Sequence, residues 1–185
     1  MRGWLELTCA ILLLFASAQA ASEPLAAVRE GKAFVLLRHA HAPGVGDPAD
    51  FKLGDCSTQR NLNEQGRRQS KAWGEKLRQV GLADIRLYSS RWCRALDTAT
   101  AMELGAVTEL PVLDSFFQDR DRAAQVTGAL KGFLSETHGD QPVLLITHQV
   151  NITALTGLVP ASGEALLIAL PLGNPPEVLS RIPPP

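Results

Sequence analysis

Two short apolar runs in this chain each end in a histidine: Leu36-Leu37-Arg38-His39 and Leu145-Ile146-Thr147-His148. If both runs form buried strands lying side by side and parallel, the two imidazoles and the Arg38 guanidinium meet at one edge of a sheet. A third segment, Ser89-Ser90-Arg91-Trp92-Cys93-Arg94, sits where a strand hands over to a helix. With Ser90 as N-cap, Arg91 and Arg94 fall in or near the first helical turn, where the macrodipole is positive and a cation costs roughly 0.3–1 kcal/mol. An anion removes that cost, and a phosphate uses both the guanidinium forks and the helix N-terminus. Of the two, Arg91 is expected to face solvent and Arg94 the anion.

The elements that must position these residues are legible from periodicity. Ala33 to Leu37 and Val143 to Ile146 are continuously apolar, as strands covered on both faces are, and Ile85–Tyr88 and Ala165–Leu170 are further strand candidates. A helix is expected from the Asn63 cap to Val80, ahead of Gly81; a second runs from Ser89-Ser90 to about Leu104, and a third lies within Arg122 to Thr137. Asp47–Asp55 and the tail Pro171–Pro185 read as loop. Strands alternating with helices predict an α/β fold, a three-layer α/β/α sandwich with a mainly parallel central sheet. Sites in such sheets gather at the carboxyl ends of the strands.

The 185 residues are 45% apolar and 20% charged, which excludes a disordered or collagen-like chain. Eighteen Lys and Arg against nineteen Asp and Glu leave a net charge of -1, with no basic excess for tracking nucleic acid. Residues 1–20 read as a signal peptide: Arg2, an apolar stretch from Leu7 to Phe15, and Ala18-Gln19-Ala20 as the cleavage site. The expectation is export to the periplasm or secretion, a single domain over 21–185, and no stable membrane insertion after cleavage. Cys56 and Cys93 then remain, either as one disulfide or as two buried thiols.

Leu37-Arg38-His39-Ala40, Ser89 through Ala99 and Ile146-Thr147-His148, with Arg60-Asn61-Leu62-Asn63-Glu64-Gln65-Gly66 between the first two, resemble the signatures of the histidine phosphatase superfamily in order and spacing. The resemblance implies a phosphoglycerate mutase-like fold and a metal-independent phosphomonoesterase needing no cofactor. In it, His39 attacks phosphorus to form a phosphohistidine, while Arg38, Arg94 and His148 surround the phosphoryl oxygens. The substrate implied is a small-molecule or glycan phosphate ester. A phosphoryl-ligand binding protein with little turnover is the alternative.

Ala40 stands where the family usually has Gly, and His41 where many members carry Glu or another polar residue, which makes His41 a substrate-contact candidate. Gln149 follows the second histidine where the acid-phosphatase branch has Asp. The proton donor is therefore sought in the mutase-like L-x-E context, where Asp114 is the nearest carboxyl and Asp119 and Asp121 follow. Arg60 either reaches the phosphate pocket or bonds neighbouring backbone. Trp73 reads as core, Trp92 as packing, His138 as an exposed turn residue, and Asn151-Ile152-Thr153 as a chance glycosylation match.

Overall fold

Strands whose residues are apolar at every position must bury both faces, and here they do. The structure, a computed structural model, describes residues 23–136 and 141–185; the expected signal peptide and His138 lie outside the described residues. The strands are β1 (Ala33–Arg38), β2 (Arg86–Ser89), β3 (Val107–Glu109), β4 (Val143–Thr147), β5 (Ala165–Ala169) and β6 (Val178–Ile182), and they form one sheet in the order β3-β2-β4-β1-β5-β6. β3, β2, β4 and β1 pair parallel, whereas β5 and β6 run antiparallel at one edge.

Five helices complete the described chain: α1 (Glu23–Arg29), α2 (Glu64–Gln79), α3 (Cys93–Thr100), α4 (Ala123–Glu136) and α5 (Gln149–Thr156). Alternate residues of the central strands feed two cores. Val35, Leu37, Leu144 and Ile146 pack with Val28, Trp73, Leu77, Ala95 and Ala99 of α1, α2 and α3. Phe34, Leu36 and Leu145 face the other way, onto Leu130, Leu134, Ile152 and Leu155 of α4 and α5. This period-two division is the three-layer sandwich expected from the sequence. Trp73 is core, and its indole N–H donates to the Gly163 carbonyl at 2.7 Å.

Several expectations need correction. The tail is not all loop: Val178–Ile182 forms edge strand β6, whose half-buried pattern and flanking prolines hide it from a search for apolar runs. β3 and α1 are too short to stand out. The second helix begins at Cys93 with Trp92 as its cap residue, and no serine side chain caps it. It stops at Thr100, and the chain turns through Met102, whose carbonyl oxygen lies only 2.0 Å from where a Cβ on Gly74 would sit.

The segment between β1 and α2 is held by two devices. The Asn63 side chain caps α2 by accepting the Gly66 N–H at 2.9 Å. Gly66 brings the helix so close to the chain after His39 that a Cβ there would lie 2.2 Å from the His41 carbonyl oxygen. Further along, Cys56 and Cys93 are joined by a disulfide with a sequence separation of 37, which ties the loop to the start of α3.

Two measurements check these contacts. Gly66→Ala, which drives a methyl into backbone, is expected to lower stability by about 1–3 kcal/mol in urea unfolding. Thiol labelling of unreduced, denatured protein is expected to leave Cys56 and Cys93 unmodified, and reduction to destabilise the fold by about 4 kcal/mol by loop-closure entropy. Two labelled thiols at these positions would refute the pairing.

Candidate active site

β1 and β4 pair in register, Arg38 opposite Thr147, so the next residue of each strand is a histidine at the same sheet edge. The His39 N–H extends the ladder to the Thr147 carbonyl at 2.9 Å. The two rings lie edge to face with centroids 5.3 Å apart, and both residues are buried. His39 Nδ1 is 2.8 Å from the Ala40 carbonyl oxygen. A carbonyl only accepts, so Nδ1 carries the proton and Nε2 keeps its lone pair. Burial, and next the Arg94 charge, push the His39 pKa well below its ordinary value. The ring is a neutral imidazole with a free Nε2.

Three guanidiniums share the pocket with these rings: Arg38, Arg60 and Arg94. Arg38 Nη1 donates to the Pro160 carbonyl at 2.8 Å. Arg60 both reaches the pocket and bonds backbone: its Nε donates to Gly46 O at 2.8 Å and its Nη1 to Ala42 O. Burial and the neighbouring Arg94 bring Arg60 down to about 10. Arg94 is held bidentately by Asp47, at 2.7 and 3.0 Å, with both side chains almost fully buried. Asp47 also accepts from the Trp92 indole at 3.1 Å and the Arg60 backbone N–H at 3.1 Å. Burial alone would raise its pKa, but the Arg94 bonds hold the carboxyl below the usual range. Asp47 opens the segment expected as loop, where its position ahead of Pro48 is its only local signal.

His148 presents its other edge. Its Nε2 lies 2.7 Å from the Ser90 hydroxyl, leaving buried Nδ1 without a protein partner, as are the Nε atoms of Arg38 and Arg94. Burial and then the Arg94 charge, with His39, Arg60 and Arg38 adding to it, push His148 well below its ordinary value.

Asp114 corrects an expectation. Its carboxylate accepts from Arg91 Nε at 2.8 Å, Arg91 Nη2 at 2.6 Å and the Arg91 backbone N–H at 2.9 Å. Asp114 does not line the pocket, whereas Ser115 does. Backbone at Asp114 is extended, so successive side chains point to opposite sides. A carboxylate paired in this way, on the far side, is not placed to protonate a leaving group. Asp119 and Asp121 are exposed and also outside the pocket. Among the described residues no aspartate or glutamate lines it; Gly44, Val45, Gly46, Phe117, Gln149 and Val150 supply the rest of the wall.

His41 is likewise drawn away. Its Nδ1–H donates to Asn63 Oδ1 at 3.0 Å and its backbone N–H to Gln69 Oε1 at 2.9 Å, so it supports the α2 cap and does not line the pocket. The Arg91 side chain is 40% exposed, beside its Asp114 partner. Trp92 stacks on Phe51 at 5.1 Å and packs edge-on to His148 at 5.5 Å. Asn151 is buried, with its amide on the Asp114 carbonyl at 2.9 Å, which removes it as a glycan acceptor in the folded chain. Among the described residues no cluster of His, Cys, Asp and Glu could hold a metal ion, and no helix is long and apolar enough to cross a membrane.

Comparison with known proteins agrees with this arrangement. Residues 34–117 match the family model of the histidine phosphatase superfamily (branch 1). No curated protein matches the chain. Solved structures with the same fold include the protein histidine phosphatase SixA complexed with tungstate, at 17% identity and TM-score 0.57, covering 82% of this chain and 97% of that one. A mycobacterial glucosyl-3-phosphoglycerate phosphatase in complex with VO3 follows at 19% and 0.54, covering 75% and 92%. Phosphoserine phosphatase from Entamoeba histolytica, in complex with 3-phosphoglyceric acid, gives 14% and 0.56, covering 80% and 95%. The family match runs from β1 through the Arg94 segment, and the sheet beyond it supplies the second histidine beside the first: over residues 34–117 the chain is similar to the histidine phosphatase superfamily.

Proposed function

We propose that this protein is an exported phosphomonoesterase that works through a phosphohistidine on His39 and needs no metal. The observation that carries the reading is the His39 Nδ1–H bond to Ala40, which leaves a neutral ring's Nε2 free in a pocket lined by Arg38, Arg60, Arg94 and His148. Nε2 attacks phosphorus, the leaving oxygen departs, and water then cleaves the P–N bond to return His39 and release phosphate. The guanidiniums offer preorganised donors to oxygens on which charge spreads in a loose transition state. The unpartnered nitrogens of Arg38, Arg94 and His148 supply donors of that kind. A phosphate dianion adds negative charge among these cations, which raises the His148 pKa and favours its donating form.

Among the described residues the lining carries no carboxylic acid, so leaving groups that depart without protonation are expected to react fastest. The substrate class is a small phosphate ester, a sugar phosphate or a phosphorylated glycan. The fold neighbours named as glucosyl-3-phosphoglycerate phosphatase and phosphoserine phosphatase support a small phosphorylated substrate. Export rests on the signal-like residues 1–20.

An aryl phosphate tests the nucleophile without depending on an acid. Hydrolysis by the wild type is expected to persist in a chelator and to fall at least a thousandfold, on the order of what loss of a covalent nucleophile costs, in His39→Ala. Phosphate binding should be largely retained in that variant. Equal rates in both proteins, or none in either, would favour a phosphoryl-ligand binding protein.

Burial of two neutral histidines also makes stability depend on pH. Unfolded histidines titrate near 6.5, while both pocket rings are held well below that in the fold. Their contribution is therefore complete above about pH 6.5 and is lost as pH falls through that value. The urea midpoint of the phosphate-free protein is expected to fall between about pH 7 and 5 and to recover in part when inorganic phosphate is added. A midpoint flat over that range would contradict neutral, buried rings.

A further inference from the structure

The proposed phosphoryl transfer leaves one well-ordered group without a task. Asp114 is turned from the pocket, yet Ser90 connects it to a ring that lines it: the Ser90 hydroxyl lies 3.3 Å from Asp114 Oδ1 and 2.7 Å from His148 Nε2. Ser90 is fully buried and positioned by the sheet, since its N–H donates to the Ile146 carbonyl at 3.0 Å. The Trp92 N–H donates to the same hydroxyl at 3.3 Å, using one of its lone pairs.

We infer that Asp114 acts through Ser90 as a positioning residue for His148, holding its ring by Nε2 so that Nδ1 meets the phosphoryl group, and supporting the ring's positive charge one hydroxyl away. The inference rests on the phosphate-pocket reading. It follows from donor counting. A protonated His148 has an N–H at both ring nitrogens, so Nε2–H must donate to Ser90 Oγ, and the single Ser90 proton must then go to Asp114. That chain ends on a carboxylate and is available only when His148 is charged or is the Nε2–H tautomer. The charged or titratable groups that act on His148 across the pocket oppose its protonation: Arg94 on α3, His39 and Arg38 at the end of β1, and Arg60 ahead of α2. Asp114 is thus the group that can oppose them from behind the ring. Arg91, paired with Asp114, moderates its charge.

The sign of the Arg91 effect separates a relay from a scaffold. The chain has four histidines, so ring-nitrogen NMR of 15N-histidine-labelled protein, saturated with inorganic phosphate and assigned by His148→Gln, reads His148 directly and needs no turnover. Asp114→Asn and Ser90→Ala are expected to lower the His148 pKa by about one unit each, with the double variant no lower than either single one. Arg91→Gln, which leaves the carboxylate but removes its partner, is expected to raise it. The basic limb of the aryl-phosphatase pH profile should move in the same directions. A His148 pKa unmoved in Asp114→Asn, or lowered in Arg91→Gln as in the other two, would overturn the relay and leave Asp114 a brace for the Arg91 turn. Absence of turnover with these NMR shifts intact would sink the phosphatase reading and spare the relay.

Discussion

Three guanidiniums and two imidazoles converge on one largely buried sheet edge, and the Asp47 carboxylate is bonded to Arg94 among them. That imbalance governs the site. Uncompensated buried charge is costly, so the guanidiniums are given carbonyl partners from Pro160, Gly46, Ala42 and Arg60, and the imidazoles remain neutral. The pocket is consequently suited to an anion and also keeps its histidines neutral. Removing one partner of a buried ion pair typically costs about 3–5 kcal/mol, which makes the Arg94–Asp47 pair the anchor of the whole arrangement.

Asp47 can serve because its loop is fastened at several points. The disulfide joins Cys56 to Cys93 beside Arg94, the Gln59 amide oxygen accepts the Cys93 N–H at 3.0 Å, and Phe51 stacks on Trp92. On the other side of the pocket, Thr98 accepts the Ala40 N–H at 3.0 Å and donates to the Arg94 carbonyl at 2.7 Å, coupling α3 to the residue after His39. A loop with few apolar contacts of its own is thereby tied to α3 by a covalent bond, a hydrogen bond and a ring stack.

Much of this was legible because it is local or repetitive. Apolar runs with no polar alternation mark covered strands, and the histidines that end them inherit their position from strand pairing. The Asn63 cap is a short-range hydrogen bond within the helix it starts. Asp114 and Ser115 show the limit: adjacent residues in extended chain face opposite ways, and the acid implied by the mutase-like L-x-E context misses the pocket by one position. A serine ahead of a helix suggests a cap, but the Ser90 hydroxyl meets His148, a residue 58 positions away.

From the sequence alone came the layered α/β class, the pairing of His39 with His148, the inward Arg94, and a phosphate as the anion they suit. These depend on periodicity and on which residue types end a strand, properties carried within a few positions. Tertiary structure decided the rest: that Asp47 is the buried counter-charge, that His41 supports a helix, that the tail adds an edge strand, and that Asp114 reaches the site only through Ser90. Each of these is settled by which polar group finds a partner when distant segments are packed together, and burial enforces that choice with no pattern in the local sequence to announce it.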